Sequence, residues 1–209
     1  MKIRFIPNRT GYIVLFIVLT ILALILLTNR KKIKKKAMEV FSYLKQKTWD
    51  ILSDRKIETL HPKIRAMAKA FIIRAEKELG IKLRVVSALR TWDEQSDLYN
   101  QPNDGKDNDG DGQVDEADEK VSNAKAGDSL HNYGLALDVV EVKNGQALWN
   151  NPNWEKIAAL GKSIGFEWGG DWKSFKDKPH FQYSFGKTLA ELRQMYRSGN
   201  RTGEYINFA

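Results

Sequence analysis

Cysteine is absent from this chain of 209 residues, and its absence excludes several kinds of site. Disulfides, cysteine-ligated zinc, iron–sulfur clusters and thiol nucleophiles all need a sulfur that the chain does not have. Histidine is nearly as scarce, with only His61, His131 and His180, so a histidine-based site must be built from these three. Hydrophobic residues at 42% and charged residues at 29% are typical of a globular protein and exclude a wholly disordered chain.

Acidic residues are absent from the first 36 positions, which hold nine Lys or Arg. The formal net charge of +8 is therefore concentrated there, because the rest of the chain has 25 basic against 26 acidic side chains. These basic residues flank an apolar run instead of covering a folded domain, so the charge does not indicate a nucleic-acid-binding surface. We expect no nucleic-acid partner.

Charge of either sign is absent from the apolar run Gly11–Thr28. As a helix these residues would extend about 27 Å, close to the hydrocarbon thickness of a bilayer. A cleaved signal peptide is the alternative interpretation, but no small-x-small cleavage site follows the run. The sequence therefore predicts a basic tail at 1–10, an uncleaved transmembrane helix at 11–28, and a basic flank with a helical stalk at 29–59.

Residues 60–209 have the pattern of one mixed domain. Helices and strands alternate without a regular βαβ order, so the predicted fold class is α+β. The predicted elements are a helix from Pro62 to Gly80, a strand at 83–89, a short helix that is capped by Thr91 or Asp93 and ends at Tyr99, a strand at 135–142, a helix at 153–164, a strand at 179–183 and a helix at 189–197.

Two histidines and an aspartate form a candidate metal site. His131, Asp138 and His180 would give zinc three nitrogen or oxygen ligands and leave a fourth position for water, as in catalytic zinc sites. Asp177, three residues before His180, would then be placed to act as a general base. The alternative interpretation is that the histidines are hydrogen-bonded residues of the core, since this spacing alone is a weak signal.

A longer pattern around these residues has a family resemblance. Residues 129–138 read S-L-H-N-Y-G-L-A-L-D, residues 168–172 read W-G-G-D-W, and residues 177–182 read D-K-P-H-F-Q. The order S-x-H-x-x-G-x-A-x-D, then D-x-P-H-F-Q, resembles the zinc peptidoglycan peptidases of the D-Ala-D-Ala carboxypeptidase family, which includes VanX- and VanY-like enzymes and the L-alanyl-D-glutamate endopeptidases of phage endolysins. The resemblance covers about residues 60–183.

The resemblance implies a fold and a metal site. The implied fold is a small antiparallel sheet flanked by helices around a zinc cleft, as in Hedgehog/DD-peptidase-like domains, here preceded by one transmembrane helix. Zinc would be held by His131, Asp138 and His180, with Asp177 as the catalytic acid/base. Carboxypeptidases of the family more often have Glu at the base position, so Asp177 and the W-G-G-D-W stretch favour the L-alanyl-D-glutamate endopeptidases.

The same resemblance implies substrate contacts. Arg90 ends a S-A-L-R segment that matches the family's S-G-Y-R, and would bind a substrate carboxylate or polarise the scissile carbonyl. Gln95 belongs to an E-Q-x-x-L-Y helix, and Ser129 falls where the family has a substrate-contacting serine. Ala88 and Leu89 replace the usual glycine and aromatic residue, which changes the expected shape of the substrate site.

The Asp-rich segment 104–119 matches the twelve-residue EF-hand pattern. It contains eight acidic residues and one lysine, and its glycine at loop position 6 and apolar residue at position 8 are in register. Aspartate at position 12 in place of glutamate predicts weak calcium binding at the rim of the cleft. The alternative is a solvated acidic loop. The predicted calcium ligands are Asp107, Asp109, Asp111, Gln113, Asp115 and Asp118.

Together these patterns predict a membrane-anchored zinc peptidase that cuts peptidoglycan stem peptides. A D,D-carboxypeptidase of the same family and a non-catalytic wall-binding module are the alternatives. Six positive residues follow the apolar run and three precede it, so the positive-inside rule alone places the domain in the cytoplasm. Peptidoglycan and millimolar calcium both lie outside, and we therefore expect a single-pass protein with an extracytoplasmic catalytic domain. The sequence indicates no particular protein partner.

Overall fold

The computed structural model describes Ile17, Thr20 and residues 30–208. The chain divides into two compact units, Met1–Asp50 and Ile51–Ala209, and each is described by itself. The predicted transmembrane run 11–28 lies outside the described residues apart from Ile17 and Thr20. Among the helices that the structure does describe, none is long and apolar enough to cross a bilayer.

Helix α1 is Arg30–Glu58 and begins in the first unit. The helix predicted within 29–59 is therefore present, while its role as a stalk stays a prediction. Its part in the first unit carries exposed apolar side chains, among them Met38 and Phe41, beside several lysines. Its last turns belong to the second unit, where Ile57 is buried in the core and the Ser53 hydroxyl accepts a hydrogen bond from the backbone N–H of Val85 at 3.0 Å.

Helix α2, Pro62–Leu79, has the local signals that the sequence predicted. Proline occupies the first turn, where backbone N–H groups make no hydrogen bonds within the helix, so the lack of an N–H on proline costs nothing there. Gly80 ends the helix with φ of +68° and donates its N–H to the last turn. Between these ends, one face is buried at helical spacing by Ile64, Ala68, Phe71 and Ala75.

The predicted small antiparallel sheet is confirmed. Its strands are β1 (Leu83–Ser87), β2 (Ala136–Lys143), β3 (Gln146–Leu148), β4 (Glu167–Trp168) and β5 (His180–Gln182). The order is β1-β2-β5-β4, with β3 also paired to β2, and all pairs are antiparallel. The α+β class predicted from the sequence is thereby confirmed.

Three further helices surround the sheet. Thr91 caps α3 (Trp92–Asn100) through a capping box with Glu94, so the predicted short helix is present. Helix α4 is Trp154–Ile164 and α5 is Leu189–Arg197, both within a residue of their predicted bounds. Residues 101–129, between α3 and the metal motif, form an irregular segment with two short 3₁₀ turns, Gln101–Asn103 and Ala117–Glu119.

The main core joins α2, α4 and the sheet next to the metal motif. The rings of Phe71 on α2 and Phe181 on β5 meet edge to face with centroids 4.8 Å apart. Gly161 on α4 lets the helix approach this pair, because a Cβ there would lie 2.5 Å from the ring of Phe181. Phe181 directly follows His180, so this packing fixes the strand that carries the second histidine.

A second apolar cluster fixes the end of the described chain. Strands β6 (Arg201–Thr202) and β7 (Tyr205–Ile206) form a hairpin, and Ile206 packs with Leu192 of α5. His61 belongs to this region and not to the metal motif. Its Nδ1 accepts the N–H of Lys63, and its Nε2 lies 2.9 Å from the carbonyl oxygen of Ile206, an arrangement that fits a neutral imidazole donating through Nε2.

Candidate metal centre and active site

Backbone pairing brings the three candidate zinc ligands together. In the antiparallel register of β2 and β5, Asp138 lies opposite His180. His131 lies on the 3₁₀ turn Leu130–Tyr133, which Gly134 ends with φ of +66° before the chain enters β2. The two segments of the motif thus meet at one end of the sheet, as the sequence predicted.

Three ligand atoms of these side chains converge on one point. His131 Nε2 lies 3.2 Å from Asp138 Oδ1 and 3.2 Å from His180 Nδ1, and His180 Nδ1 lies 3.1 Å from Asp138 Oδ1. Tetrahedral zinc with bonds of about 2.0–2.1 Å keeps its ligand atoms about 3.3–3.4 Å apart. Two imidazole nitrogens and one carboxylate oxygen at this spacing therefore fit zinc.

The second nitrogen of each imidazole is already occupied. His131 Nδ1 lies 2.6 Å from the carbonyl oxygen of Ala88, and His180 Nε2 lies 3.0 Å from Oε1 of Gln182. Gln182 in turn donates from Nε2 to Glu167 Oε2 on the neighbouring strand at 2.8 Å. Donation to these acceptors fixes each ring in the tautomer that leaves the inward nitrogen free as a ligand.

The carboxylate of Asp138 is the electrostatic centre of this group. Burial alone would raise its pKa, but His131 and His180 hold the pKa of the Asp138 carboxyl well below its usual value. Burial lowers the pKa of His131. For His180, burial acts in the same direction, but the hydrogen bond and charge of Asp138 outweigh it and raise its pKa. Asp138 is therefore an anion, as a metal ligand must be.

Asp177 lies beside the metal group in a half-buried position. Burial raises the pKa of its carboxyl, and the negative charge of Asp138 raises it further, while His180 and Arg90 act in the opposite direction. Gly169 permits this placement, because a Cβ there would lie 2.5 Å from the Asp177 carbonyl oxygen and 3.0 Å from the Cβ of His180. A carboxyl group with a raised pKa at a cleft suits proton transfer near neutral pH.

Arg90 also contacts this group. Its Nη2 lies 3.5 Å from Asp138 Oδ2 and donates to the Ser87 hydroxyl at 3.0 Å. Its Nη1 donates to Gln95 Oε1 at 2.9 Å, and its backbone N–H donates to the carbonyl of His131. The guanidinium is thus held next to the candidate metal centre with part of its surface exposed.

Gln95 lies on α3, as predicted, and its side chain is buried. It has no exposed surface, and its Nε2 donates to Ser122 Oγ at 2.8 Å and to the Ala124 carbonyl at 2.7 Å. Both ends of its side-chain amide are hydrogen-bonded within the protein, one of them to Arg90, and its contact with substrate stays a prediction. Ser129 caps the turn that carries His131 and is half-exposed, and its contact with substrate stays a prediction.

The acidic segment brings together only part of the predicted calcium set. Carboxylate oxygens of Asp107, Asp109 and Asp111 lie within 4.8 Å of one another. Gly112, at position 6, has φ of +100° and donates its N–H to Asp107 Oδ2, as the turn glycine of an EF-hand pattern requires. The other three predicted ligands lie outside this group. Asp115 accepts the N–H of Gly105, and Asp118 is exposed. Gln113 is exposed as well, and its side-chain amide donates to Asp111.

Sequence reasoning missed three supporting residues. Glu119 is buried and accepts the backbone N–H groups of Asn108 and Glu116, which ties the acidic segment together. Asn132 is fully buried. Its Nδ2 donates to the carbonyls of Arg90 and Thr91, and its Oδ1 accepts the N–H of Gly127. Gln182 is part of the D-x-P-H-F-Q motif, two residues after His180. Its hydrogen bond to Glu167 on the neighbouring strand could not be read from that motif.

This fold and this set of side chains define a metal-dependent hydrolase, and the comparisons with known proteins agree. A family model described as D-alanyl-D-alanine carboxypeptidase matches residues 122–183. The peptidoglycan L-alanyl-D-glutamate endopeptidase CwlK of Bacillus subtilis (strain 168) is 34% identical over 155 residues, which are 68% of this chain and 86% of that protein. The L-alanyl-D-glutamate peptidase of Listeria phage A118 is 43% identical over 60 residues, or 27% of this chain and 21% of the phage protein.

A solved structure is also similar. The Serratia marcescens L-Ala D-Glu endopeptidase ChiX has 25% identity and a TM-score of 0.43, with 64% of this chain and 87% of that chain covered. The extent of the match to the Bacillus protein shows the family. The chain belongs to the D-Ala-D-Ala carboxypeptidase and L-alanyl-D-glutamate endopeptidase family, and it is a zinc-dependent peptidoglycan peptidase.

The position of Gln95 generates a test of how Arg90 is held. In Gln95→Ala the guanidinium loses its partner at Nη1, and Ser122 and Ala124 lose theirs, so we expect peptidoglycan hydrolysis to fall at least about tenfold while zinc content is unchanged. Gln95→Glu keeps an acceptor for Arg90 and should retain more activity than Gln95→Ala. Hydrolysis rate and bound zinc would be measured for both variants.

The matched control is Gln194→Ala, which removes an exposed glutamine of α5. Equal activity of Gln95→Ala and the wild type would contradict this expectation. A loss of zinc from Gln95→Ala would contradict it as well, since it would place the residue with the metal ligands.

Proposed function

We propose that the protein is an L-alanyl-D-glutamate endopeptidase of peptidoglycan, with zinc held by His131, Asp138 and His180. The observation that carries the proposal is the convergence of these three ligand atoms at 3.1–3.2 Å, with Asp177 and Arg90 nearby. The choice of bond is supported by the named activity of the Bacillus and phage relatives. A non-catalytic module would not be expected to keep every member of the set.

Zinc in this site would supply Lewis acidity for amide hydrolysis. The carboxylate of Asp177 accepts the proton of the attacking water and returns it to the nitrogen of the departing amine, so that the leaving group departs neutral. Burial and the charge of Asp138 raise the pKa of the Asp177 carboxyl, which makes its carboxylate a stronger base for the first of these proton transfers. Arg90 binds a carboxylate of the stem peptide through its free N–H groups and orients the scissile bond.

A D,D-carboxypeptidase is the second candidate. It is favoured by one observation, the description of the family model that matches residues 122–183. The two activities differ only in the bond that is cut. The carboxypeptidase removes a terminal D-Ala, whereas the endopeptidase frees the stem peptide with D-Glu at its new amino terminus.

Mass spectrometry of muropeptides after digestion by the zinc-loaded full-length chain tests both candidates. We expect stem peptides cut between L-Ala and D-Glu. In Asp177→Asn we expect a loss of about 10²–10⁴-fold in rate with zinc retained, the range typical of general acid–base catalysis. Asp171→Asn, an exposed aspartate of the W-G-G-D-W stretch, is the matched control.

Release of terminal D-Ala alone would move the assignment to a carboxypeptidase. Full hydrolysis by Asp177→Asn with zinc bound would remove this residue from the mechanism. No cleavage by the zinc-loaded wild type would leave the wall-binding module as the better description.

We also propose that the acidic segment binds calcium through Asp107, Asp109 and Asp111, with Asp115, Asp118 and Gln113 joining when the ion is present. Support comes from the EF-hand register of the sequence and from the approach of the first three carboxylates. Aspartate at position 12 reaches less far than glutamate, so affinity is expected in the range of extracellular modules, about 10⁻⁴–10⁻³ M.

Calcium titration of the full-length chain by calorimetry tests this site. In Asp109→Asn/Asp111→Asn we expect at least about tenfold weaker binding, since two of the anionic ligands are neutralised. Asp97→Asn, an exposed aspartate of α3, is the control and should bind calcium as the wild type does. Heat signals that are the same in the wild type and the double variant would overturn the site.

The apolar run 11–28 is proposed to anchor the protein in a membrane with residues 60–209 outside the cytoplasm. Its length and lack of charge support this proposal, as does the location of peptidoglycan. Protease added to intact spheroplasts should degrade the catalytic domain and leave a membrane-bound fragment. Protection of the domain until the membrane is broken would reverse the orientation, in agreement with the positive-inside count.

A further inference from the structure

A short loop leaves the edge of the active site and returns to it. The backbone N–H groups of Trp172 and Asp177 both donate to the carbonyl oxygen of Gly169, at 3.3 and 3.2 Å. The loop Trp172–Asp177 is therefore closed at its neck by a single acceptor. Gly169 has no space for a side chain, since a Cβ would lie 2.5 Å from the Asp177 carbonyl oxygen, so the neck is fixed against the catalytic group.

An aromatic contact connects this loop to the candidate metal centre. The ring of Trp172 packs against that of His180 with centroids 5.0 Å apart, and it also contacts the ring of Phe175, with centroids 5.0 Å apart. Phe175 itself is 45% exposed. The aromatic surface thus begins at a zinc ligand and ends in solvent.

Positive charge surrounds the exposed end of that surface. Lys173, Lys176 and Lys178 are all exposed, and the structure records no ion pair for them among residues 30–208. Of the two acids nearby, Asp171 pairs with Lys162 at 2.5 Å, and Asp177 is half-buried, where the charge of Asp138 acts on it. The tip of the loop therefore presents unpaired cations beside an exposed ring.

We propose that the loop 172–178 is a docking surface for the acidic stem peptide of peptidoglycan beyond the scissile bond. Lys173 and Lys176 pair with free carboxylates of the stem peptide, and Phe175 packs against its apolar atoms. This proposal rests on the proposed function, because the loop would contact the part of the stem peptide that extends beyond a scissile bond bound next to His180.

Two features favour the stem peptide over another anionic wall polymer. The surface is continuous with the catalytic group through Trp172, so an occupant extends directly from the bound scissile peptide. An exposed phenylalanine between two lysines also matches a chain that carries both carboxylates and apolar side chains, whereas a phosphate polymer would use the cations alone. Remote contacts of this kind raise the efficiency of large substrates without changing the chemistry at the scissile bond.

The test compares Lys173→Gln/Lys176→Gln with Lys143→Gln/Lys156→Gln in the full-length chain. Both pairs remove two exposed lysines, but the control pair lies away from the candidate metal centre. Lys143 ends β2, about 16 Å along the strand from Asp138. Lys156 follows Asn153, whose side chain contacts Glu141 near that same end of β2. Each variant is sedimented with purified sacculi freed of phosphate polymers and is assayed on a short soluble peptide that contains an L-Ala-D-Glu bond.

We expect the loop variant to bind sacculi about three- to tenfold more weakly than the wild type, the range for two solvent-exposed ion pairs, and the control to bind normally. Cleavage of the short peptide should be unchanged in both. Phe175→Ser should weaken sacculus binding further. Amidation of the free carboxylates of the sacculi should weaken the wild type more than the loop variant, because the loop variant has already lost the contact.

Equal binding by the loop variant and the control would overturn the proposal. So would an equal loss on the short peptide, since the loop would then serve the scissile bond itself. In a second arm with sacculi that keep their phosphate polymers, binding that survives amidation and is lost when the polymers are removed would reassign the surface to those polymers. If the wild type does not cut the short peptide, the endopeptidase assignment fails, and the sedimentation arms still decide whether the loop docks the wall.

Discussion

The antiparallel pairing of β2 with β5 is the constraint on which the active site depends. It sets Asp138 opposite His180, so two of the three candidate zinc ligands are fixed by backbone register, and a slip of one residue would turn one of them to the other face of the sheet. The core protects this register. Phe181, one residue after His180, lies between Phe71 and the close approach of α4 at Gly161. The packing that stabilises the core at this strand therefore also fixes the geometry of the candidate metal site.

One buried carboxylate organises the charges around that pairing. Asp138 interacts with His131, His180 and Arg90, and the two histidines hold its pKa low against the effect of burial. The raised pKa of His180 reflects the same contact. Metal binding must displace any proton from His180, so zinc affinity is expected to be coupled to pH through this histidine. The negative charge of Asp138 also acts on Asp177. There it adds to the effect of burial and raises the pKa of the Asp177 carboxyl.

The elements predicted from the sequence are those with strong local signals. Proline and glycine bound α2, and Thr91 with Glu94 forms the capping box of α3. The ligand triad was predictable because its pattern resembles a family, whereas its spacing alone was weak. Strand β4 has only two residues, Glu167–Trp168, and is defined by its partner and not by its own propensity. The hydrogen bonds of Gln95 to Ser122 and Ala124 could not be predicted, because these partners lie 27 and 29 residues away, beyond any local pattern.

Ser122 and Ala124 connect the acidic segment to Arg90 through the side chain of Gln95. Glu119 gathers the segment by accepting from Asn108 and Glu116, and the chain then reaches Ser122 and Ala124, which hold the amide of Gln95 against Arg90. The path is made of hydrogen bonds through a side chain with no exposed surface, so a displacement of Ser122–Ala124 would leave buried polar groups unpaired. Physical contact alone does not make a switch. Arg90 in turn lies 3.5 Å from Oδ2 of the ligand Asp138 and donates its backbone N–H to the carbonyl of His131. Hydrogen bonds and one ion pair therefore join Ser122 and Ala124, through Gln95, to the candidate metal centre.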